Sequence, residues 1–179
     1  GVFQLESQGM RRVLRSLMPT EFEDIVAVNA LYRPGPMDYI QVYINGKHKK
    51  APINNIHEEL TPILGKTYGV IVYQEQIMQI AVKMAGFSLA RADLLRRAIS
   101  KKNKADLEKS RGDFLKGAKE KGYNEDIANK VFQLIERFAN YGFNRSHAVA
   151  YSMISYQLAY LKAHFPTAFY TALLSSVWN

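Results

Sequence analysis

Apolar residues recur every third or fourth position along most of this chain, and that period constrains the fold more than any other feature. It predicts a helix through Met10, Val13, Leu14 and Leu17, then a second carrying Phe22, Ile25 and Val26, opened by a Thr20/Glu23 capping box. Arg33-Pro34-Gly35-Pro36 must end that helix, because a proline disfavours α geometry at the residue before it. Met37, Ile40 and Ile44 suggest a short third helix stopped near Asn45-Gly46, and the basic run at 47–50 followed by Pro52 reads as an exposed loop. Ile56, Leu60, Ile63 and Leu64 suit a helix closed by Gly65. Residues 74–84 place Ile77, Ile80, Ala81 and Met84 on one side, with Gly86 as the stop. Ser88 is the expected N-cap of the next helix, and the period then runs through Leu107, Phe114 and Ala118 to Gly122. Asn124 caps the clearest stripe, Ile127, Val131, Leu134, Ile135 and Phe138. A long helix is expected over about 146–164, and Pro166 starts the last at a permitted position. Only residues 68–73, bounded by glycine and rich in β-branched and aromatic residues, read as a strand. The expectation is a mainly α domain with one or two short strands, divisible into two lobes at about 1–65 and 66–179.

Composition narrows the chemistry. Of the 179 residues, 47% are hydrophobic and 22% charged, a globular mixture. The absence of cysteine excludes disulfides, zinc–thiolate sites and thiol nucleophiles. No apolar run approaches the roughly 18 residues that span a bilayer, and nothing at the start has signal-peptide character. The chain opens on Gly1 without an initiator methionine and closes on Trp178-Asn179 after an apolar helix, so it reads as part of a longer protein.

The net charge of +8 favours an anionic partner, and residues 91–121 hold eleven Lys and Arg against five Asp and Glu, most of that excess. Its centre is Ala92-Asp93-Leu94-Leu95-Arg96-Arg97-Ala98-Ile99-Ser100-Lys101-Lys102. On a helix Arg96 and Arg97 fan about 100° apart to flank a target. Two guanidinium forks and two ammonium groups so spaced suit a polyphosphate or a nucleic-acid backbone; a merely solvated face is the plainer alternative.

A second constellation is Tyr141-Gly142-Phe143-Asn144-Arg145-Ser146-His147-Ala148-Val149-Ala150-Tyr151. A glycine-containing loop feeds a helix whose first-turn N–H groups suit anion capture. Arg145 adds charge, Ser146 a hydroxyl and His147 a donor, with Tyr151 on the same face to stack on a sugar or base. Core aromatics and a simple cap are the alternative. Arg33 rides on a rigid turn, and Tyr73-Gln74-Glu75-Gln76 puts polar and aromatic groups at a strand-to-helix junction, where Glu75 is a helix-dipole partner or the counter-ion of an arginine. The six aspartates form no paired motif, and the four histidines lack the spacing of a zinc site, so the segment itself shows no metal centre and points away from hydrolysis.

Five motifs, GVFQLES, LYRPGPM, YGVIVYQEQIMQIA, ADLLRRAISKK and YGFNRSHAVAY, resemble in order and spacing the alpha subunit of bacterial DNA polymerase III, the family C replicative polymerases. The resemblance covers essentially the whole chain and implies its fingers region, of the type without a built-in exonuclease. It implies that the catalytic aspartates with their Mg²⁺ lie in a palm domain outside this segment, as do the polymerase-and-histidinol-phosphatase, clamp-binding and oligonucleotide-binding domains, so that the segment alone is inactive. It further implies binding of the incoming deoxynucleoside triphosphate against template-primer DNA. Arg96, Arg97, Lys101 and Lys102 are then expected near the triphosphate, and Arg145, Ser146, His147 and Tyr151 around the nucleotide, all converging on one pocket. Arg33, Tyr73, Gln74 and Asn144 form the second rank. The implied partners are the palm of the same chain, the sliding clamp and other replisome subunits, in the bacterial cytoplasm with no membrane. One departure is that many members carry glycine where Ser100 stands. A stand-alone basic helical nucleic-acid-binding module is the alternative.

Overall fold

The computed structural model describes residues 1–52, 56–101, 104–139 and 141–177, with backbone alone at 104, 139 and 177. Among these residues there are ten α-helices and no strand ladder. In chain order they are α1 (Gln8–Leu17), α2 (Phe22–Leu31), α3 (Ile40–Lys47), α4 (Thr61–Leu64), α5 (Gln74–Ala85), α6 (Leu89–Ser100), α7 (Lys104–Glu120), α8 (Glu125–Ala139), α9 (Arg145–His164) and α10 (Pro166–Val177). The fold is mainly α, as the period predicts.

The helix boundaries follow local chemistry. Ser88 accepts the Arg91 N–H at 3.2 Å and opens α6, while Gly86 ends α5 at φ +66°, where an L side chain is strained. Asn144 accepts the His147 N–H at 2.9 Å and opens α9. The capping box of α2 lies one residue later than predicted. Glu21 is the N-cap, and Asp24 accepts the N–H groups of Thr20 and Glu21 at 2.9 and 3.1 Å.

The predicted strand at 68–73 is replaced by a short extended segment with one isolated parallel bridge, Tyr73 to Phe143. Val70, Ile71 and Val72 are nevertheless fully buried. Their residue types are those of a strand because they are surrounded, but a side chain replaces the neighbouring strand. Gln76 Oε1 accepts the Val72 and Tyr73 N–H groups at 2.8 and 3.0 Å, and its Nε2 donates to Thr67 Oγ1 and the Ile63 carbonyl. A buried amide with these partners carries no desolvation penalty for an unmet group.

One contiguous core joins these parts. α5 packs on α6, α7 and α8 through Ile77, Ile80 and Met84 against Leu95, Phe114 and Phe132, with the Phe114 and Phe132 rings 5.3 Å apart. Gly117 of α7 sits directly on the backbone of Ala85. α2 lies along α9, whose Ala148, Ser152 and Ser155 present a small-residue face at helical spacing. Asn29 of α2 donates to Ser152 Oγ at 2.8 Å across that contact.

The basic run at 47–50 is only partly a solvated loop. Lys47 is the last residue of α3, and its ammonium donates to Asp24 Oδ2 and Thr20 Oγ1, both at 2.7 Å. Its side chain is 10% exposed and that of Asp24 4%. Burial pushes the Asp24 carboxyl up, but the Lys47 ammonium and the two backbone N–H donors outweigh it and hold the group below the usual carboxylate range.

Candidate functional site

The Tyr73–Phe143 bridge fastens the start of α5 to the loop that opens α9. The Phe143 N–H donates to the Val72 carbonyl and the Gln74 N–H to the Phe143 carbonyl, both at 3.0 Å. Gly142 permits this approach, since a Cβ there would lie 3.2 Å from Gln74 Cγ and 3.4 Å from its backbone nitrogen. Arg33 braces the loop from the other side. Its Nε donates to the Ala30 carbonyl at 2.8 Å and its Nη2 to the Tyr141 carbonyl at 2.7 Å, with the guanidinium 4.5 Å above the Phe143 ring.

The first turn of α9 is not left open for an external anion. The Arg145 N–H donates to both Glu75 carboxylate oxygens at 3.1 Å, and Asn144 Nδ2 donates to Oε1 at 3.3 Å. Glu75 therefore complements the positive end of α9, seventy residues away in sequence. The Arg145 side chain donates to Glu23 Oε1 at 2.6 Å and lies 5.8 Å above the Tyr73 ring. It lines a cavity of about 350 Å³ that Arg96 does not line.

From this junction an aromatic ladder climbs α9. The ring centroids of Phe143 and His147 are 5.4 Å apart, those of His147 and Tyr151 4.1 Å, and those of Tyr151 and Phe3 5.4 Å. Ser146 and His147 are exposed, whereas Tyr151 is half-buried.

α6 reaches the junction through one arginine. Arg96 grips Asp93 Oδ1 through Nε and Nη2, both at 2.8 Å, and its Nη1 donates to Gln74 Oε1 at 3.2 Å. Gln74 is thus bonded both to Arg96 and to Phe143. Arg97 donates through Nε to the other Asp93 oxygen at 2.7 Å. The two arginines fan around Asp93 as their spacing requires, and the Arg96 hydrogen bond, with Arg97 beside it, holds that carboxylate below its ordinary range. Arg97 is 60% exposed and with Lys101 lines a separate groove between α6 and α7. α6 continues regularly through Ser100, whose hydroxyl donates to the Arg96 carbonyl at 2.9 Å, so no left-handed glycine conformation is needed there. Lys102 lies outside the described residues.

The expected convergence is therefore partial. Arg33, Tyr73, Gln74, Arg96, Asn144 and Arg145 meet at one junction, with Ser146, His147 and Tyr151 on the helix rising from it. Arg97 and Lys101 turn towards another surface. Of the carboxylates that organise these cations, the sequence reading named Glu75 and missed Asp93 and Glu23. Asp93 was legible at three and four residues before Arg96 and Arg97. Glu23 was not, being 122 residues from its partner. Among the described residues no group of three or more His, Asp or Glu could hold a metal ion, and no helix is long and apolar enough to cross a membrane.

Comparison with known proteins sets this geometry in a lineage. A profile described as the bacterial DNA polymerase III alpha subunit finger domain matches residues 1–122. The chain is 65% identical over 179 residues to DNA polymerase III subunit alpha of Halalkalibacterium halodurans, covering 100% of this chain and 16% of that protein. It is 64% identical over 177 residues to the Bacillus subtilis (strain 168) subunit and 56% identical over 177 residues to that of Staphylococcus aureus (strain N315), each covering 99% of this chain and 16% and 17% of the relative. The chain thus spans about a sixth of the length of these relatives. It belongs to the family of bacterial DNA polymerase III alpha subunit finger domains.

Proposed function

We propose that residues 1–179 act as the fingers region of a DNA-directed DNA polymerase, binding the incoming deoxynucleoside triphosphate and positioning it on template-primer DNA for nucleotidyl transfer. The observation that carries this reading is Gln74, which joins Arg96 to the loop of Phe143, Asn144 and Arg145 and so makes one surface of two motifs far apart in sequence. In this reading the Arg96 guanidinium offsets triphosphate charge directly, and Arg97 and Lys101, turned to the groove between α6 and α7, add only their longer-range field. The exposed side of α9, with Ser146, His147 and Tyr151, meets the sugar and base. Arg33, Tyr73 and Asn144 hold that surface in register, and Glu23 and Glu75 fix Arg145. Cations placed before the substrate arrives need little reorganisation as charge shifts during transfer.

Asp24, Asp93 and Asp113 are poorly suited to Mg²⁺, since each is already paired with Lys or Arg. The metal would be held by aspartates outside residues 1–179 and would supply activation of the primer hydroxyl. The replisome, its sliding clamp and a cytoplasmic location belong to the same reading.

Steady-state kinetics of a full-length polymerase containing this segment test it. Arg96→Ala removes charge-assisted contacts worth about 1.5–3 kcal/mol, so kcat/KM for nucleotides should fall about 10- to 150-fold, mostly through KM. The Arg96→Ala/Arg97→Ala double variant should lose more. Unchanged kinetics in the double variant would exclude the assignment.

A further inference from the structure

Asp93 is the one carboxylate of α6, and local helix chemistry does not account for it. Aspartate is a weak helix former, and its charge favours a helix only from the first turn. The first turn of α6 carries no acidic residue and is capped by Ser88, whereas Asp93 opens the second turn. Its ion pairs with Arg96 and Arg97 are partly exposed, and pairs of that kind add little to stability. α6 is held by other means, since Ala92, Leu95, Ala98 and Ile99 are buried beneath it. Beside a site for a polyanion, a carboxylate also weakens the attraction. Its presence there calls for another cause.

What Asp93 fixes is the direction of Arg96. Its Oδ1 meets the guanidinium side-on, 2.8 Å from both Nε and Nη2, while Gln74 Oε1 accepts from Nη1 at 3.2 Å. A guanidinium carries five N–H groups. Three are engaged in this way, and among the described residues one on each terminal nitrogen has no partner. The other Asp93 oxygen lies 2.7 Å from Arg97 Nε, so the carboxylate is itself held in place. We infer that Asp93 is a positioning residue of the nucleotide site, setting the Arg96 guanidinium in advance so that its two remaining N–H groups meet phosphate oxygens. The inference rests on the nucleotide-binding reading of Arg96. Without Asp93 the arginine keeps only the Gln74 tether, and the substrate must order its long side chain on arrival. That ordering is a cost of binding, so its loss falls on KM and spares kcat.

A double-mutant cycle in the steady-state kinetics of a full-length polymerase containing this segment tests this. Asp93→Ala should raise KM for nucleotides about five- to tenfold and leave kcat within about twofold. In an Arg96→Ala background the same substitution should change KM by less than about twofold, because the group it acts on is gone. Asp93→Asn keeps an acceptor oxygen for Nε and should restore most of the native KM. An equal KM loss with and without Arg96 would overturn the inference, since Asp93 would then act through the fold or through its own charge. So would a native KM in Asp93→Ala, or a loss in Asp93→Asn as large as in Asp93→Ala. Urea melts of Asp93→Ala should stay close to those of the native protein, and a large fall in stability would reassign Asp93 to the fold. Native kinetics in Arg96→Ala would remove the nucleotide reading and this inference together, whereas the other adverse results remove this inference alone.

Discussion

Asp24→Ala should destabilise the chain by about 3–5 kcal/mol, read as a fall in thermal midpoint of roughly 10 °C. The carboxylate is almost wholly enclosed and accepts from the Lys47 ammonium and from the Thr20 and Glu21 N–H groups. Removing it leaves a lysine whose side chain is 10% exposed without its charge partner, together with two N–H groups at the start of α2. Uncompensated burial, rather than the loss of an attraction, sets the size of the effect. Replacing both members, Asp24→Asn with Lys47→Met, should therefore recover most of the loss, since no orphan charge remains. The pH dependence has a definite sign. A folded carboxyl held below its unfolded value contributes stability that is full above about pH 4 and is lost as pH falls through the folded value. Urea melts between neutral and acid pH should show that decline in the native chain and a shallower one in Asp24→Asn. Equal acid slopes would remove Asp24 from the account.

Gly117→Ala should cost about 3 kcal/mol, although the same change in an exposed helix gains about 1 kcal/mol from propensity. A Cβ at Gly117 would stand 3.0 Å from the Ala85 carbonyl carbon and 3.2 Å from its Cα, and closer still to the oxygen. The obstacle is backbone, so no rotamer change relieves it, and α7 would have to move off α5 where Phe114, Ala118 and Ala85 close the core. Gly112, five residues earlier on the same helix, has nothing within 4 Å of its built Cβ. Gly112→Ala should then be neutral or stabilising in the same urea melts. If both substitutions behave alike, the close approach of α5 and α7 is not what fixes Gly117.

These two cases show which structural facts the sequence carried. The helices were legible because their signals are local: Asn124 before a stripe ending at Phe138, Gly86 with Ser88 between α5 and α6, Asn144 before α9. Val70, Ile71 and Val72 misled because β-branched composition reports enclosure, whereas strand identity depends on a partner. Here the partner is mostly the Gln76 side chain. Lys47 misled because three basic residues beside it look solvated, while its counter-ion lies 23 residues upstream. At the candidate site, the fan of Arg96 and Arg97 followed from helix geometry. That Arg96 turns to Gln74 and Arg97 to the α7 groove depends on neighbours that no local pattern names. The anion-ready look of the loop before α9 was sound chemistry, but the chain fills that position itself with Glu75.

The bridge between Tyr73 and Phe143 also has a temporal consequence. It closes a chain loop of seventy residues, which costs about 4 kcal/mol in the length-dependent part of the closure entropy alone. The intervening helices α5 to α8 pack mainly with near neighbours in sequence, so they can gather early and shorten the gap that remains. Docking of α5 to α8 by themselves places Arg96 but neither Arg33 nor Arg145, which lie on either side of that stretch. The mutual placing of Arg33, Arg96 and Arg145 is therefore tied to the closing of one long loop, and not to the packing of any neighbouring pair of helices.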